Sequence, residues 1–461
     1  MSFLNRPETV SSGPKPAARE RTIFGLKLPH VFLGWWTVIG GGIIALLGHG
    51  YNAYGISALF LPISKELGFN RAATSVASSI GRFQGGIEAP LTGWITDRWG
   101  AKWVIFTGVS LISLALLLMQ FIHSLWAFYV VWGVMLGTGC NIALTMPMDV
   151  TISNWFVKKR GLAISIKWVF SGLSGVLIMP LIAWMINTYN WRTACTVGGV
   201  AMGVLGLPIA LFLIKPRRPE YYGLLPDGAR IAAEVQTNQE RILEKGVQYA
   251  AEVKEVEFTL RQSLKTVSFW IMFAVQAVYG VVAPVMTIHC IPFLTDKGID
   301  PVKAAGMMSI WVTASLPTRF IGGWVADRIK INQLRFLTAL AYFLQAIGVV
   351  FFLKYQTIAI IYVWFILYGF GMGLATVVNP LIRARYFGRK ALGSTQGISS
   401  MLMTPIGVLA PIYAGWIYDT TGSYMPAFIQ FAALLGVASV LALFNLPPKP
   451  PAKISDVSQI V

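Results

Sequence analysis

The chain has 461 residues, of which 55% are hydrophobic and 12% charged, about half the charged share of a soluble globular domain, so a soluble fold is excluded. A formal net charge of +18 does not imply a nucleic-acid partner, because the basic residues sit in short loops on alternate sides of long apolar runs, as the positive-inside rule requires. Cys140, Cys195 and Cys290 lie scattered in or beside those runs, which argues against a disulfide framework and a metal site.

Residues 1–32 are polar and carry Arg6, Lys15, Arg19, Arg21 and Lys27 without a cleavable leader, and are expected to form a disordered cytoplasmic tail. A bilayer core of about 30 Å needs roughly 20 apolar residues per helix. Twelve stretches qualify: 33–62, 70–96, 102–122, 125–152, 161–187, 193–214, 267–295, 303–327, 333–353, 357–383, 391–417 and 425–446. Loops after even-numbered spans hold Arg98 with Lys102, then Lys158, Lys159 and Arg160, then Arg328, Lys330 and Arg335, then Arg385, Arg389 and Lys390. The opposite loops are less basic, so both termini are expected in the cytoplasm, with the chain in the plasma (inner) membrane. Between spans six and seven, residues 215–266 open with KPRRPEYYGLLPDG and continue as AAEVQTNQERILEKGVQYAAEVKEVE. That pattern predicts a cytoplasmic linker with a partly helical, charge-balanced surface segment. It separates a six-helix bundle at 33–214 from a second at 267–446, and 447–461 form a cytoplasmic tail.

The halves repeat each other. GWITDRWG at Gly93 matches GWVADRIK at Gly323, WFVKKRGLAIS at Trp155 matches YFGRKALGSTQ at Tyr386, and Trp184 matches Trp416, at offsets of 230 to 232. Equal parity of spans makes this a parallel repeat about an axis along the membrane normal. Such architectures bind cargo near the midplane between two rocking halves.

Gly93, Asp97, Arg98, Gly100 and Lys102 form a G-x-x-x-D-R-x-G-x-K pattern between spans two and three, echoed at Gly323, Asp327 and Arg328. Gly93 permits close helix contact. Asp97, at a helix end, can pair with a base or cap a neighbouring helix N-terminus, and Arg98 and Lys102 anchor the cytoplasmic side. The pattern resembles the loop signature of the major facilitator superfamily, and the twelve spans, linker and repeat extend the resemblance over nearly the whole chain. Within it, NWFVKKRGLAISI (154–166), KPRRPEYYGLLPDG (215–228), SLPTRFIGGWVADR (315–328) and YGISALFLPISKELG (54–68) are similar to the monocarboxylate transporter and oxalate–formate antiporter branch. The resemblance implies an all-α membrane protein of twelve helices in two pseudo-symmetric bundles, carrying a small organic anion with a proton or in exchange for a counter-anion, in contact with membrane lipid and as a monomer.

A charge at bilayer depth costs about 3 kcal/mol on insertion scales, so each is a functional candidate. Arg319 lies eight residues before Asp327, about 12 Å from the helix end. Its planar fork suits a carboxylate, and the resemblance implies that role for an arginine in helix eight. The alternative is an arginine satisfied by backbone carbonyls or a neighbouring acid. Arg82 and Glu88 are 600° apart on span two and do not share one helix face, so each faces a cavity or finds a partner elsewhere. Asp149 and Lys167 flank the turn between spans four and five, nine residues either side of position 158, and read as a structural or gating ion pair. Glu88, Asp149 and His289 are candidates for carrying a coupled proton, histidine because it titrates near neutrality. His49 and His289 read equally as hydrogen-bonded packing residues. Tyr54, Tyr279 and Asn141 join Arg319 and Arg82 as candidate substrate-binding residues, with Tyr51, Gln84, Trp311 and Asn379 as further lining candidates.

The chain departs from the branch it resembles. Proton-coupled carriers place an aspartate four residues before the helix-eight arginine, where Ser315 stands, and a lysine in helix one, where the first lysine is Lys65 at the outer end. The oxalate exchanger uses a helix-eleven lysine; the nearest here is Lys390. One or two buried cations suit a monoanion better than a dianion. A facilitator of neutral or cationic solutes is the alternative. No ATP-binding loop and no intramembrane hydrolase motif occurs, so the chain is expected to be neither a pump nor an enzyme, and no cofactor is implied.

Overall fold

The structure, a computed structural model, describes residues 22–23, 26–27, 32–68, 71–215, 217–229, 239–251 and 256–450. The tail expected to be disordered contributes a two-stranded antiparallel ladder, β1 (Thr22–Ile23) with β2 (Leu26–Lys27). Its remainder, the segment 230–238 of the linker and residues 451–461 lie outside the described residues.

Twelve long helices follow. α1 runs Leu33–His49, passes through a π-helical turn at Gly50–Gly55 and continues as Ile56–Glu66. α2 is Arg71–Trp99, and α3 is Ala101–Leu118 with a 3₁₀ end at Met119–Phe121. α4 is built from Leu125–Phe128, Tyr129–Leu136, Gly137–Leu144 and Met146–Trp155. α5 is Arg160–Thr188, and α6 runs from Trp191–Ala201 into π-helical turns at Met202–Gly206 and Ile209–Leu213. α7 is Val267–Asp296, α8 Pro301–Ala326, α9 Leu334–Tyr355, α10 Ile358–Phe387, α11 Leu392–Thr421 and α12 Met425–Leu443.

Ten of these are long and apolar enough to cross a membrane on length and composition alone. The other two are α2 and α8, the equivalent helices of the two halves. Their hydropathy is diluted by Arg82, Glu88 and Asp97 in one and by Lys303 and Arg319 in the other, with many small and hydroxylated residues. Both sit where the halves meet: α2 packs on α11, and α8 packs on α5. Glycines allow the approach. A methyl at Gly93 would collide with the Gly393 carbonyl, and one at Gly323 with the Gly161 carbonyl.

The apolar core of the second half is a ring cluster. Phe352 and Trp364 lie 4.5 Å apart, Phe293 and Phe428 4.8 Å, and Trp364 and Phe365 5.0 Å. Large exposed aromatics such as Trp99, Trp103, Trp126, Trp184 and Trp416 lie near helix ends, as in membrane-interface belts.

α4 breaks at Thr145 (φ −107°, ψ −102°). Pro147 cannot donate to the preceding turn and restricts the residue before it, so the helix restarts at Met146. The linker forms 3₁₀ turns at Pro219–Tyr222 and Pro226–Gly228 and a helix at Gln239–Ala251.

Candidate functional site

A cavity of about 370 Å³ lies between α2, α4 and α11. Its polar lining is Arg82, Glu88 and Thr92 from α2, Asn141 and Thr145 from α4, and Gln396, Ser400 and Thr404 from α11. Gly85 and Gly86 create it locally: side chains there would overlap Asn141 and Thr404. Asn141 donates from Nδ2 to the Gly81 carbonyl at 3.0 Å, and Gln84 bonds Thr138, tying α2 to α4. Arg82 is exposed and Glu88 half-buried, with Asn141, Thr138 and Gln84 beside its carboxyl. Glu88 Oε1 has no hydrogen-bond partner among the described residues. Although 600° separates Arg82 and Glu88 around the helix, both line this one cavity, which reaches past two turns of α2. They form no ion pair with each other.

A second polar cluster sits between α1, α4, α5, α7 and α8. Arg319 is 2% exposed and donates from Nη1 to the Trp168 carbonyl at 2.7 Å; its Nε has no partner among the described residues. The guanidinium rests against Gly172, where a methyl would meet it, and Tyr54 rests against Gly175. Tyr279 lies within electrostatic reach of both Arg319 and Tyr54. No described acid pairs with Arg319. Lys167 and Asp149 form an ion pair at 3.1 Å, both fully buried, with the ammonium 3.7 Å from the Trp168 ring centroid. Counting Asp149, Lys167 and Arg319 as ionised leaves one uncompensated positive charge. Arg319 does not line the cavity that holds Arg82.

The remaining interior candidates are bonded within the fold. His49 Nδ1 is 3.0 Å from Ser171 Oγ. His289 lies 3.2 Å from the Tyr424 hydroxyl and 3.0 Å from the Pro411 carbonyl. Tyr51 donates to the Ala194 carbonyl at 2.8 Å, Trp311 to Met372 Sδ at 2.6 Å, and Asn379 to the Tyr342 hydroxyl at 3.4 Å. Ser315 donates to its own helix at Val312.

At the end of the bundle that carries the linker, the repeated aspartates occupy equivalent places. Asp97 accepts from the Gly393 and Ser394 amides at 2.9 and 2.7 Å and from Ser394 Oγ at 2.7 Å, capping α11. Asp327 accepts from the Gly161 and Leu162 amides at 2.7 and 2.8 Å, capping α5, with Arg385 at 3.6 Å. Each aspartate therefore ties one half to the other through a helix N-terminus, where negative charge is favoured. Arg98 lies 5.4 Å from the Trp94 ring, and Arg328 3.7 Å from Trp324, the matching position. Gly100 takes φ 88°, which a side chain would resist, at the α2–α3 turn. Lys102 lies 5.4 Å from the Trp103 ring.

The linker adds contacts that the loop motif does not announce. Asp227 accepts from the amides of Val157, Lys158 and Lys159 at 3.1, 2.8 and 3.0 Å. Glu257 accepts from the amides of Arg389 and Lys390 at 3.1 and 2.5 Å. These turns, α4–α5 and α10–α11, are the repeat-related pair. Glu220 pairs with Arg389 at 3.1 Å, both 1% exposed, and Arg389 also donates to the Asn154 carbonyl at 3.2 Å. Asp227 sits at φ 60° in a Pro-Asp-Gly turn, and that tripeptide is the sequence signal that could have singled it out.

The sequence profile of the Major Facilitator Superfamily matches residues 42–409. A "Monocarboxylate transporter 12" of Xenopus laevis is 25% identical over 447 residues, covering 93% of this chain and 94% of its own. A "Monocarboxylate transporter 13" of Rattus norvegicus is 25% identical over 415 residues, covering 90% and 89%. Among solved structures, the proton:xylose symporter XylE superposes with a TM-score of 0.68 at 13% identity, covering 91% of this chain and 97% of its own. The human organic anion transporter MFSD10 superposes with a TM-score of 0.65 at 14% identity, covering 90% and 100%. Twelve helices, two halves joined by a linker, the repeated capping aspartates and the profile match converge on one assignment: the chain is a multi-pass membrane transporter belonging to the Major Facilitator Superfamily.

Proposed function

We propose that the chain is a secondary active transporter of a small organic anion, a monocarboxylate, working by alternating access with proton symport or anion exchange. The observation that carries this is Arg319: a guanidinium buried at membrane depth with no described acid to neutralise it. Leaving a cation there uncompensated is costly, and a visiting carboxylate removes the imbalance while a neutral cargo does not. Tyr54 of α1 and Tyr279 of α7, close to the same cluster, would add hydroxyl contacts. The relatives' names as monocarboxylate transporters agree with this cargo class. One unbalanced positive charge suits a monoanion rather than a dianion.

In this proposal the halves 33–214 and 267–446 rock about the central cluster, the linker faces the cytoplasm, and the chain works as a monomer in the plasma (inner) membrane. Asp97 and Asp327 act as cytoplasmic gate elements with the glycines and basic residues of their loops. Competition in proteoliposomes tests the cargo: monocarboxylates should compete with one another, and Arg319→Gln should abolish transport with the protein still folded. A second reading, a carrier of neutral or cationic solutes, is favoured by the Arg319–Trp168 bond at 2.7 Å, which gives the guanidinium a structural duty. It predicts that Arg319→Gln spares transport and that carboxylates fail to compete.

A further inference from the structure

Arg82 and Glu88 are opposite charges on one helix, six residues or about 9 Å apart along its axis. Both line the cavity between α2, α4 and α11, whose volume of about 370 Å³ falls within the roughly 300–1,000 Å³ of small-molecule sites. Neither charge has an ion-pair partner among the described residues, and Glu88 Oε1 accepts no hydrogen bond there. Arg82 is exposed, so the cavity can be reached from outside the bundle. The walls between the two charges carry uncharged polar side chains in rows. Asn141 and Thr145 stand four residues apart on α4, and Gln396, Ser400 and Thr404 stand four apart on α11, so each set follows one face of its helix. Gly86 against Thr404 and Gly397 against Ala89 fix how α2 and α11 pass each other. That register puts Thr404 toward the Arg82 end of the cavity and Gln396 toward the Glu88 end. The side chains of Gln396 and Ser400 make no hydrogen bond among the described residues.

We propose that this cavity binds a small zwitterion, its carboxylate on Arg82 and its cationic group on Glu88, at a site separate from the Arg319 cluster. The proposal does not rest on the organic-anion reading, because Arg319 is no part of this lining. The argument is one of charge and spacing. A monoanion could meet Arg82 but would leave Glu88 unmatched and add a net charge where the dielectric is low. A monocation does the reverse. A neutral solute leaves both charges without a partner, which is costly at membrane depth. A zwitterion matches both and adds no net charge. The guanidinium fork holds a carboxylate through two parallel N–H donors, and the Glu88 carboxylate accepts from an ammonium. Because the two side chains stem from positions about 9 Å apart, the fit favours a ligand whose charges are several bonds apart, such as an ω-amino acid. The polar rows on α4 and α11 then run alongside its backbone, with the free Gln396 and Ser400 side chains toward the cationic end.

The test is equilibrium binding of labelled γ-aminobutyrate to the purified full chain in detergent, with unlabelled δ-aminovalerate, butyrate and butylamine as competitors. δ-Aminovalerate should displace the label at least about tenfold more effectively than butyrate or butylamine, since each single-charge analogue forfeits one charged contact. Arg82→Gln and Glu88→Gln should each weaken binding of the label by at least about tenfold. In Glu88→Gln, butyrate should displace the residual label as well as δ-aminovalerate does, a change of preference that a loss of packing alone does not produce. No saturable binding of the label, equal displacement by butyrate and δ-aminovalerate in the wild type, or a Glu88→Gln protein that keeps the wild-type preference overturns the proposal. Should a variant fail to fold, the wild-type competition series alone decides. Monocarboxylate flux in proteoliposomes is a separate readout: flux without zwitterion binding sinks this proposal alone, and zwitterion binding without flux sinks only the organic-anion reading.

Discussion

Replacing Asp149 by Ala should destabilise the protein more than almost any other single change in the first half. The carboxylate and the Lys167 ammonium are 3.1 Å apart and essentially inaccessible, at 4% and 0% side-chain exposure. At an effective dielectric near 20, that separation corresponds to an attraction of about 5 kcal/mol, and removing one partner of a buried pair costs about 3–5 kcal/mol. Trp168 stays beneath the orphaned ammonium at 3.7 Å and retains about 1 kcal/mol of cation–π attraction, so a net loss of about 3 kcal/mol is expected. Thermal unfolding in detergent, followed by fluorescence-detected size exclusion, should show the apparent Tm falling by about 5 °C or more. The diagnostic variant is Asp149→Ala with Lys167→Met, which removes both charges and should recover most of the loss. A single variant within about 1 °C of wild type, or a double variant whose loss equals the sum of the singles, would refute the claim that the pair neutralises itself.

Asp97→Asn and Asp327→Asn should weaken equivalent caps, at about 1–3 kcal/mol each, and raise the population open at the linker end. Spin-label distances across that end should lengthen for both, and an effect confined to one would contradict the pseudo-symmetric reading of the gate. Asp227→Ala and Glu257→Ala should each free one of the two repeat-related turns from the linker, read as faster trypsin cleavage after Lys158 or Lys390 respectively; unchanged cleavage would mean that the straps hold nothing. Gly323→Ala should separate α5 from α8, because the new methyl meets the Gly161 carbonyl and Ser165 Oγ; transport should fall at least about tenfold in protein that still elutes as a single peak.

The helices were legible because bilayer thickness imposes a length that composition reveals. All twelve predicted spans fall on the observed helices, with ends differing by a few residues. α2 and α8, which fall short of a stricter hydropathy criterion, were read among the same twelve stretches, at 70–96 and 303–327, and the repeat then matched Gly93 to Gly323. The depth arithmetic across the α4–α5 turn placed Asp149 beside Lys167, where they lie 3.1 Å apart. The breaks were not legible. The π-helical turn at Gly50–Gly55 and the kink at Thr145 depend on how neighbouring helices satisfy loosened backbone groups.

The cavity was the harder case. Helical angles separate Arg82 from Glu88, yet a cavity several residues tall takes in both, and Gln396, Ser400 and Thr404 join it from α11 without any charge to mark them. His49, His289 and Tyr51 could be read as lining or packing from type alone, and their hydrogen bonds are to Ser171, Tyr424 and the Ala194 carbonyl. Glu220, Asp227 and Glu257 escaped notice because acids in a mixed-charge linker look like ordinary surface. Only the three-dimensional structure shows that two of them hold the amides of repeat-related turns and that the third meets Arg389 in a buried pair.

The most direct measurement is uptake of a labelled monocarboxylate by the purified chain in proteoliposomes, challenged with unlabelled monocarboxylates and with their neutral amides. The expected result is saturable flux that the carboxylates suppress and the amides leave alone. Flux no greater than in empty liposomes, or equal suppression by acid and amide, would contradict the assignment of an organic-anion carrier.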